Sequence, residues 1–192
     1  MKKLLLVVCS LFLSFNLHAS DMTGMLTKNS TNPINEYQRW FDYAKKHQVL
    51  HLKHASLATI DNAGYPHQRM MHILGVSDKG FLFATHTNTA KVTHMRENSK
   101  ASLLFVWSVG NEHIQIKVTG EVKGKGLAKT RIKDTQNKAK FYEYELVPVS
   151  AQFAITDKSK DMVQTSYVHY VKDGKGQWKV DHSNYAYPKV KP

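Results

Sequence analysis

The sequence predicts a mainly β protein with a few helices, built as an antiparallel barrel. Many short segments of high β propensity follow one another at close spacing, turn sequences separate them, and few segments have helical periodicity. The alternation is clearest over residues 113–122, where Ile114, Ile116 and Val118 alternate with Gln115 and Lys117. Period-two alternation of this kind is typical of a strand with one buried face.

Two helices are predicted from local patterns, and a third segment is predicted to be helical over part of its length. Residues 34–48 place aromatic side chains at a spacing of three to four, after an Asn32-Pro33 start that suits a helix N-terminus. Residues 90–97 follow a Thr-rich turn that can cap a short helix, on which His94 is expected to face solvent. The lysine-rich segment 127–144 is the third.

The remaining apolar segments are predicted as strands, separated by turn residues. The predicted strands are 54–61, 67–76, 81–85, 101–107, 113–122, 149–156, 162–171 and 177–181. Residues 61–64 (Asp-Asn-Ala-Gly) and 77–80 (Ser-Asp-Lys-Gly) are typical of turns, and Gly174-Lys175-Gly176 suits a hairpin turn. With no internal repeat or low-complexity linker, residues 33–192 are predicted to form a single domain.

The N-terminal residues have the pattern of a secretory signal. Two lysines precede an apolar run that ends in Leu17-His18-Ala19, which predicts a signal peptide over 1–19, cleavage after Ala19 and export to the periplasm. The run is too short for a comfortable membrane span, so no stable span is expected after cleavage. An uncleaved anchor is the alternative. Residues 20–32 are polar and are expected to be a flexible N-terminus.

Composition limits the chemistry that this chain can perform. The net charge of +12, from 27 basic and 15 acidic residues, favours anionic partners, although a solvated basic surface gives the same balance. Nucleic acid is not an expected partner, because no aromatic-interleaved basic motif occurs. Cys9 is the only cysteine, so a mature chain would lack a thiolate nucleophile, a Cys-ligated zinc site and an iron–sulfur cluster. No metal-ligand spacing of the HExxH type is present.

Arg69 and Lys91 are the residues whose chemistry best suits a phosphate. Arg69 lies in a predicted strand and offers a planar fork of donors, while Lys91 lies near the N-terminus of the predicted short helix. Together they could hold one phosphate. Taken singly, each is equally compatible with an ordinary surface charge.

The order of motifs over residues 55–120 resembles the pyridoxamine 5′-phosphate oxidase family. The matching stretches are Gln68-Arg69-Met70-Met71-His72, Phe83-Ala84-Thr85-His86, Thr89-Ala90-Lys91, residues 98–107 and residues 114–120. This sequence departs from the family pattern at Leu74, Ala84 and Ala90. It also departs in segment 129–145 and near the C-terminus, where family members carry substrate-binding residues, so pyridoxamine phosphate itself is not the predicted substrate.

The resemblance implies a split barrel that binds FMN in a cleft between two subunits of a homodimer. Arg69 and Lys91 match residues that hold the FMN phosphate. The backbone from Met70 through Met71 and His72 to Leu74 matches the strand beside the isoalloxazine ring, and Thr85 and Gln115 match further flavin contacts. The alternatives for the last two are an ordinary strand threonine and a solvent-facing glutamine.

Three functions are compatible with these observations. The first is an FMN-dependent oxidoreductase of unknown substrate. The second is a haem-binding or haem-degrading protein on the same fold, with His72, His86 or His113 as the candidate axial ligand. The third is a non-catalytic module that binds an anionic ligand through its basic surface.

Overall fold

A computed structural model describes residues 25–26, 29–128, 141–158 and 162–188 of the chain. Its helices and strands, in chain order, are α1 (Pro33–Lys46), β1 (His54–Ile60), β2 (Pro66–Val76), β3 (Phe81–His86), α2 (Ala90–Glu97), β4 (Lys100–Val109), β5 (Glu112–Leu127), β6 (Phe141–Asp157), β7 (Met162–Lys172) and β8 (Trp178–Pro188). None of the helices in these described ranges is long and apolar enough to cross a membrane.

The strands form one antiparallel sheet that closes on itself. Their order is β3-β2-β1-β4-β5-β6-β7-β8, and an additional pairing between β3 and β6 joins six of them into a barrel. Strands β7 and β8 continue the sheet beyond β6. The mainly β fold and the antiparallel barrel predicted from the sequence are therefore confirmed.

The barrel interior is filled by side chains that alternate along each strand. Leu57, Phe83, Phe105, Ile116 and Phe153, from five different strands, are all fully buried. Because small barrels leave room for little more than these side chains, any ligand of this domain has to bind at an end of the barrel or on its outer face.

Helix α1 packs onto the barrel through aromatic rings. The ring of Tyr37 lies 4.9 Å from those of Phe81 and Phe105, and the ring of Trp40 lies 5.2 Å from that of Phe153. The buried Glu36 carboxylate accepts hydrogen bonds from Trp40 Nε1 and from Arg39, each at 2.6 Å. Because these hydrogen bonds replace the water that the carboxylate loses on burial, an acidic residue can lie in the interface between helix and barrel.

The predicted boundaries agree with the structure for the regular elements and fail where the strands are longest. Helix α2 has the predicted bounds, whereas β5 extends to Leu127 and β8 to Pro188. The segment 127–144, predicted to be helical over part of its length, is strand at both ends, since Leu127 ends β5 and Phe141–Tyr144 begin β6. Its middle, residues 129–140, lies outside the described residues, as do the predicted signal peptide and most of the predicted flexible N-terminus.

Glu112, at the start of β5, makes stability depend on pH. Partial burial and the neighbouring Asp157 raise the pKa of its carboxyl to about 7. The folded state therefore holds the Glu112 proton more tightly than the unfolded state does. The stability that protonated Glu112 contributes is fully present below about pH 4.5 and is lost as the pH rises through 7.

The variant Glu112→Gln is expected to flatten the pH dependence of stability between pH 4.5 and 7. The side chain is half-exposed, so solvent screening limits the expected effect to about 1 kcal/mol. Urea unfolding at pH 5 and pH 7.5 measures it. An unchanged difference between the two pH values in the variant would show that Glu112 titrates normally.

Candidate functional site

Arg69 lies on the inward-facing side of β2, near one end of the barrel. It is the cross-strand partner of the buried Leu57 on β1, and directly opposed residues share a face of the sheet. Its Nη1 donates hydrogen bonds to Thr59 Oγ1 at 2.7 Å and to the Leu57 carbonyl oxygen at 3.3 Å. Burial lowers the pKa of the guanidinium, which stays charged at neutral pH.

Lys91 reaches the same region from helix α2. Its Nζ donates a hydrogen bond to Oγ1 of the buried Thr85, at the end of β3, over 3.1 Å. Burial and, after it, the positive charge of Arg69 lower the pKa of Lys91, so the two cations lie close enough to repel each other. In the part of the chain that the structure describes, neither forms an ion pair with a carboxylate.

The start of α2 adds backbone donors to this region. Thr89 is the N-cap residue, but its side chain does not cap the helix and instead donates to the His86 carbonyl oxygen at 3.1 Å. The N–H of Val92 donates to the Thr89 carbonyl oxygen at 2.9 Å. The N–H groups that this helix start can offer an anion are therefore those of Ala90 and Lys91.

Sequence reasoning missed two members of this site, Thr59 and His94. Thr59 is fully buried, and its Oγ1 lies 3.1 Å from His94 Nδ1 as well as within hydrogen-bonding distance of Arg69. His94 is buried rather than solvent-facing, because α2 packs this face onto β1. The available signal was Thr59 itself, a polar residue at an inward position of the alternating strand β1.

A second histidine and an acid continue the network to the surface. The His67 ring lies 4.7 Å from the His94 ring, and its Nε2 lies 2.8 Å from Asp61 Oδ2. The hydrogen bond from His67 is the main cause of the lowered pKa of Asp61, followed by backbone donation from Tyr65. Arg69 is thus oriented by a chain of side chains rather than by one partner.

The other residues predicted on β2 divide between the two faces of the barrel. Met71 points inward and packs against the core, whereas Met70 points outward and is 65% exposed. His72 is exposed on the outer face, where its ring lies 5.3 Å from that of His54. Partial burial, His54 and Lys53 lower its pKa.

Gln115 lies on the same outer face as Met70, with β1 and β4 between their strands. It is exposed on β5 opposite Val106, which is itself 58% exposed. The structure therefore brings Arg69, Thr85 and Lys91 together, but places Gln115 away from that cluster.

The histidines considered as haem ligands do not converge. His86 packs its ring 4.0 Å from that of Phe141, and His113 Nδ1 lies 3.2 Å from Ser108 Oγ. His72 lies on a third strand. Among the described residues, no group of three or more His, Cys, Asp or Glu side chains is arranged to hold a metal ion.

The cluster of Arg69, Lys91, Thr59 and Thr85 has the chemistry of a phosphate site. Two half-buried cations, each bonded to a threonine hydroxyl, lie close enough for their charges to interact, and one of them is in the first turn of α2. A phosphate monoester would accept from all of these donors and would remove the repulsion between the two cations.

Comparison with known proteins gives a match over most of the domain. A family model described as pyridoxamine 5′-phosphate oxidase matches residues 41–163. A pyridoxine/pyridoxamine 5′-phosphate oxidase of Ralstonia pickettii (strain 12J) is 35% identical over 91 residues, which are 47% of this chain and 42% of that protein. One from Blochmanniella floridana is 36% identical over 97 residues, 50% of this chain and 42% of that protein. The chain thus spans well under half the length of these relatives.

Two solved structures share the fold. PhzG from Burkholderia lata 383, in complex with tetrahydrophenazine-1-carboxylic acid, superposes with a TM-score of 0.67 at 18% identity, covering 81% of this chain and 94% of that one. A pyridoxamine 5′-phosphate oxidase-related, FMN binding protein from Nostoc punctiforme PCC 73102 superposes with a TM-score of 0.56 at 16% identity, covering 85% of this chain and all of that one. These likenesses confirm the split-barrel fold.

Proposed function

The chain belongs to the pyridoxamine 5′-phosphate oxidase family, and from that premise we propose that it binds FMN and acts as an FMN-dependent oxidoreductase. The observation that carries this proposal is the convergence of Arg69 and Lys91, held by Thr59 and Thr85. Bringing two half-buried cations together is unfavourable unless an anion joins them. The phosphate of FMN is an anion of the right size and charge.

The residues present fit the phosphate end of FMN. Arg69 can present two N–H groups to phosphate oxygens, and Lys91 adds a second charged donor. Both threonine hydroxyls now accept hydrogen bonds from these cations, and each also has a proton to donate.

The flavin ring would extend from the phosphate along β2. In this arrangement the backbone of Met70, Met71 and His72 would lie beside the isoalloxazine. Thr85 would contact the cofactor within the phosphate cluster, and Gln115 would contact it from the outer face of β5, away from that cluster. When bound, FMN would supply hydride and electron transfer. The chain's own part would be to fix the phosphate, orient the ring and limit its exposure to water.

The substrate of these relatives is not proposed for this chain. The matched region is only 42% of those proteins, and this sequence departs from the family pattern at Leu74. We propose the cofactor and the reaction class, with a substrate other than pyridoxamine phosphate.

We further propose that two copies associate through the outer face of β2, β1, β4 and β5. Met70, Ser56 and Leu104 are successive cross-strand partners on this face, and Val106 and Gln115 continue it. The large exposed fractions of Met70 and Val106 are the support for this interface. Sedimentation velocity would give the mass of a dimer; a monomer at micromolar concentration, with FMN bound, would contradict it.

Export is also proposed, from the sequence alone. Protein isolated from its own cells should begin at Ser20 when its N-terminus is sequenced. A chain that begins at Met1 would contradict cleavage after Ala19.

FMN is expected to bind at least about 100-fold more tightly than riboflavin, which lacks the phosphate. The reason is that Arg69 and Lys91 act only on the phosphate. Titration of cofactor-free protein, followed by quenching of flavin fluorescence, gives both dissociation constants. Equal affinities would mean that the cluster is not the phosphate site, and binding of haem instead of either flavin would favour the haem-binding alternative.

A further inference from the structure

A second basic site lies at the opposite end of strand β3 from Thr85. The turn before β3 contributes Asp78 and Lys79, and β5 contributes Lys123 and Lys125. Together with residues 145–148 of β6, the end of β7 and the start of β8, they line a cleft of about 570 Å³. That volume is in the range of small-molecule sites.

The cleft carries an excess of positive charge. Four lysines line it, Lys79, Lys123, Lys125 and Lys172, against two acids, Asp78 and Glu145, which leaves two positive charges (4 − 2). Lys125 Nζ bonds Glu145 Oε2 at 3.2 Å. Within the described residues, Lys79 and Lys123 form no ion pair.

Glu145 is a built part of the cleft rather than a loose surface acid. Its side chain is almost fully buried, and its Oε1 accepts a hydrogen bond from Ser77 Oγ at 2.6 Å. Held in this way by Ser77 and Lys125, it fixes one lysine at the wall of the cleft. With Lys172 placed over the Trp178 ring, Lys79 and Lys123 remain the cations that a ligand could engage.

The rest of the wall is apolar. Ile34, Val147, Pro148 and Trp178 line it beside the lysines, and Lys172 Nζ lies 4.9 Å from the centre of the Trp178 ring. A wall of this kind suits a flat apolar group, while the lysines suit an anionic one. Inorganic phosphate alone would leave the apolar part unused.

We propose that this cleft binds a small anionic molecule that carries an aromatic ring, such as a nucleoside monophosphate. Lys79 and Lys123 bind the anion, and the ring lies against the apolar wall near Trp178. This site is distinct from the Arg69–Lys91 cluster, since the two lie at opposite ends of β3.

AMP is the probe for this site. Trp40 and Trp107 are buried and Trp178 is half-buried at the cleft, so quenching of tryptophan fluorescence by AMP should come from Trp178 and be absent in Trp178→Phe. Isothermal titration then gives the affinity for AMP and for adenosine. AMP is expected to bind and adenosine to bind about tenfold more weakly or not at all.

Three double variants locate the site. Lys79→Gln with Lys123→Gln should weaken AMP binding about tenfold or more. Lys45→Gln with Lys100→Gln, which removes two exposed lysines elsewhere, and Arg69→Gln with Lys91→Gln should leave it within about twofold of wild type.

Three results would overturn the proposal. The first is no AMP binding at millimolar concentration. The second is a Lys45/Lys100 double variant that weakens AMP binding as much as the Lys79/Lys123 double variant does, and the third is loss of AMP binding in the Arg69/Lys91 double variant. The second would indicate a general charge effect, and the third would place AMP at the proposed flavin site. Circular dichroism confirms that each variant is folded.

Discussion

The double variant Arg69→Ala, Lys91→Ala is expected to lose FMN, with an affinity at least about 100-fold below that of the wild type. Each cation contributes charge-assisted hydrogen bonds worth roughly 1.5–3 kcal/mol, so removing both costs roughly 3–6 kcal/mol of binding free energy. Both side chains are partly exposed, and screening places the expected loss at the lower end of that range. Titration of each protein with FMN, followed by flavin fluorescence, measures the change.

Stability separates loss of binding from loss of folding in this variant. Removing two cations that repel each other should leave the melting temperature of the cofactor-free protein unchanged or slightly higher. The matched control is Arg96→Ala with Lys100→Ala, which removes one arginine and one lysine that are exposed on α2 and β4. A folded Arg69/Lys91 variant that retains FMN as well as this control would show that the phosphate binds elsewhere.

The variant Gly120→Ala is expected to destabilise the barrel by about 3 kcal/mol. Gly120 lies at a register shift between β5 and β6, where a Cβ would be 2.1 Å from the Val147 carbonyl oxygen and 3.0 Å from Pro148 Cα. Both neighbours are backbone atoms, so the added methyl group requires the two strands to separate rather than a side chain to turn. Urea unfolding gives the difference in free energy.

Gly75→Ala is the matched control for Gly120→Ala. Gly75 also lies at a strand irregularity, between β2 and β3, but a Cβ there has no neighbour within 4 Å. The same exchange should therefore change stability by less than about 1 kcal/mol. Equal effects of the two variants would show that the loss at Gly120 is a general property of glycine in a strand.

The fold could be predicted because its local signals agree with its tertiary contacts. The alternation from Ile114 to Val118 matches the buried face of β5, and the aromatic spacing of residues 34–48 matches the face of α1 that packs on the barrel. The end of β5 could not be predicted in this way. The last residues of β5 are mostly exposed and rich in Lys and Gly, so they show no alternation of apolar and polar side chains. They are in the strand because their backbone pairs with that of β6.

The candidate site was predicted in part. Arg69 and Lys91 were identified as candidate phosphate ligands, but their proximity depends on the pairing of β1 with β2 and on the packing of α2. Helix α2 has only eight residues and no clear apolar stripe, so its periodicity gave no indication that His94 is buried. Thr59 orients Arg69 through a side-chain contact across two strands, which sequence spacing does not encode.

The visible absorption spectrum of the purified protein, recorded after addition of FMN and desalting, tests FMN binding most directly. A retained two-banded flavin spectrum at close to one FMN per chain is the predicted result. Protein that comes through desalting without flavin, or that retains added haem with a Soret band and no FMN, would contradict the assignment of Arg69 and Lys91 to a flavin phosphate.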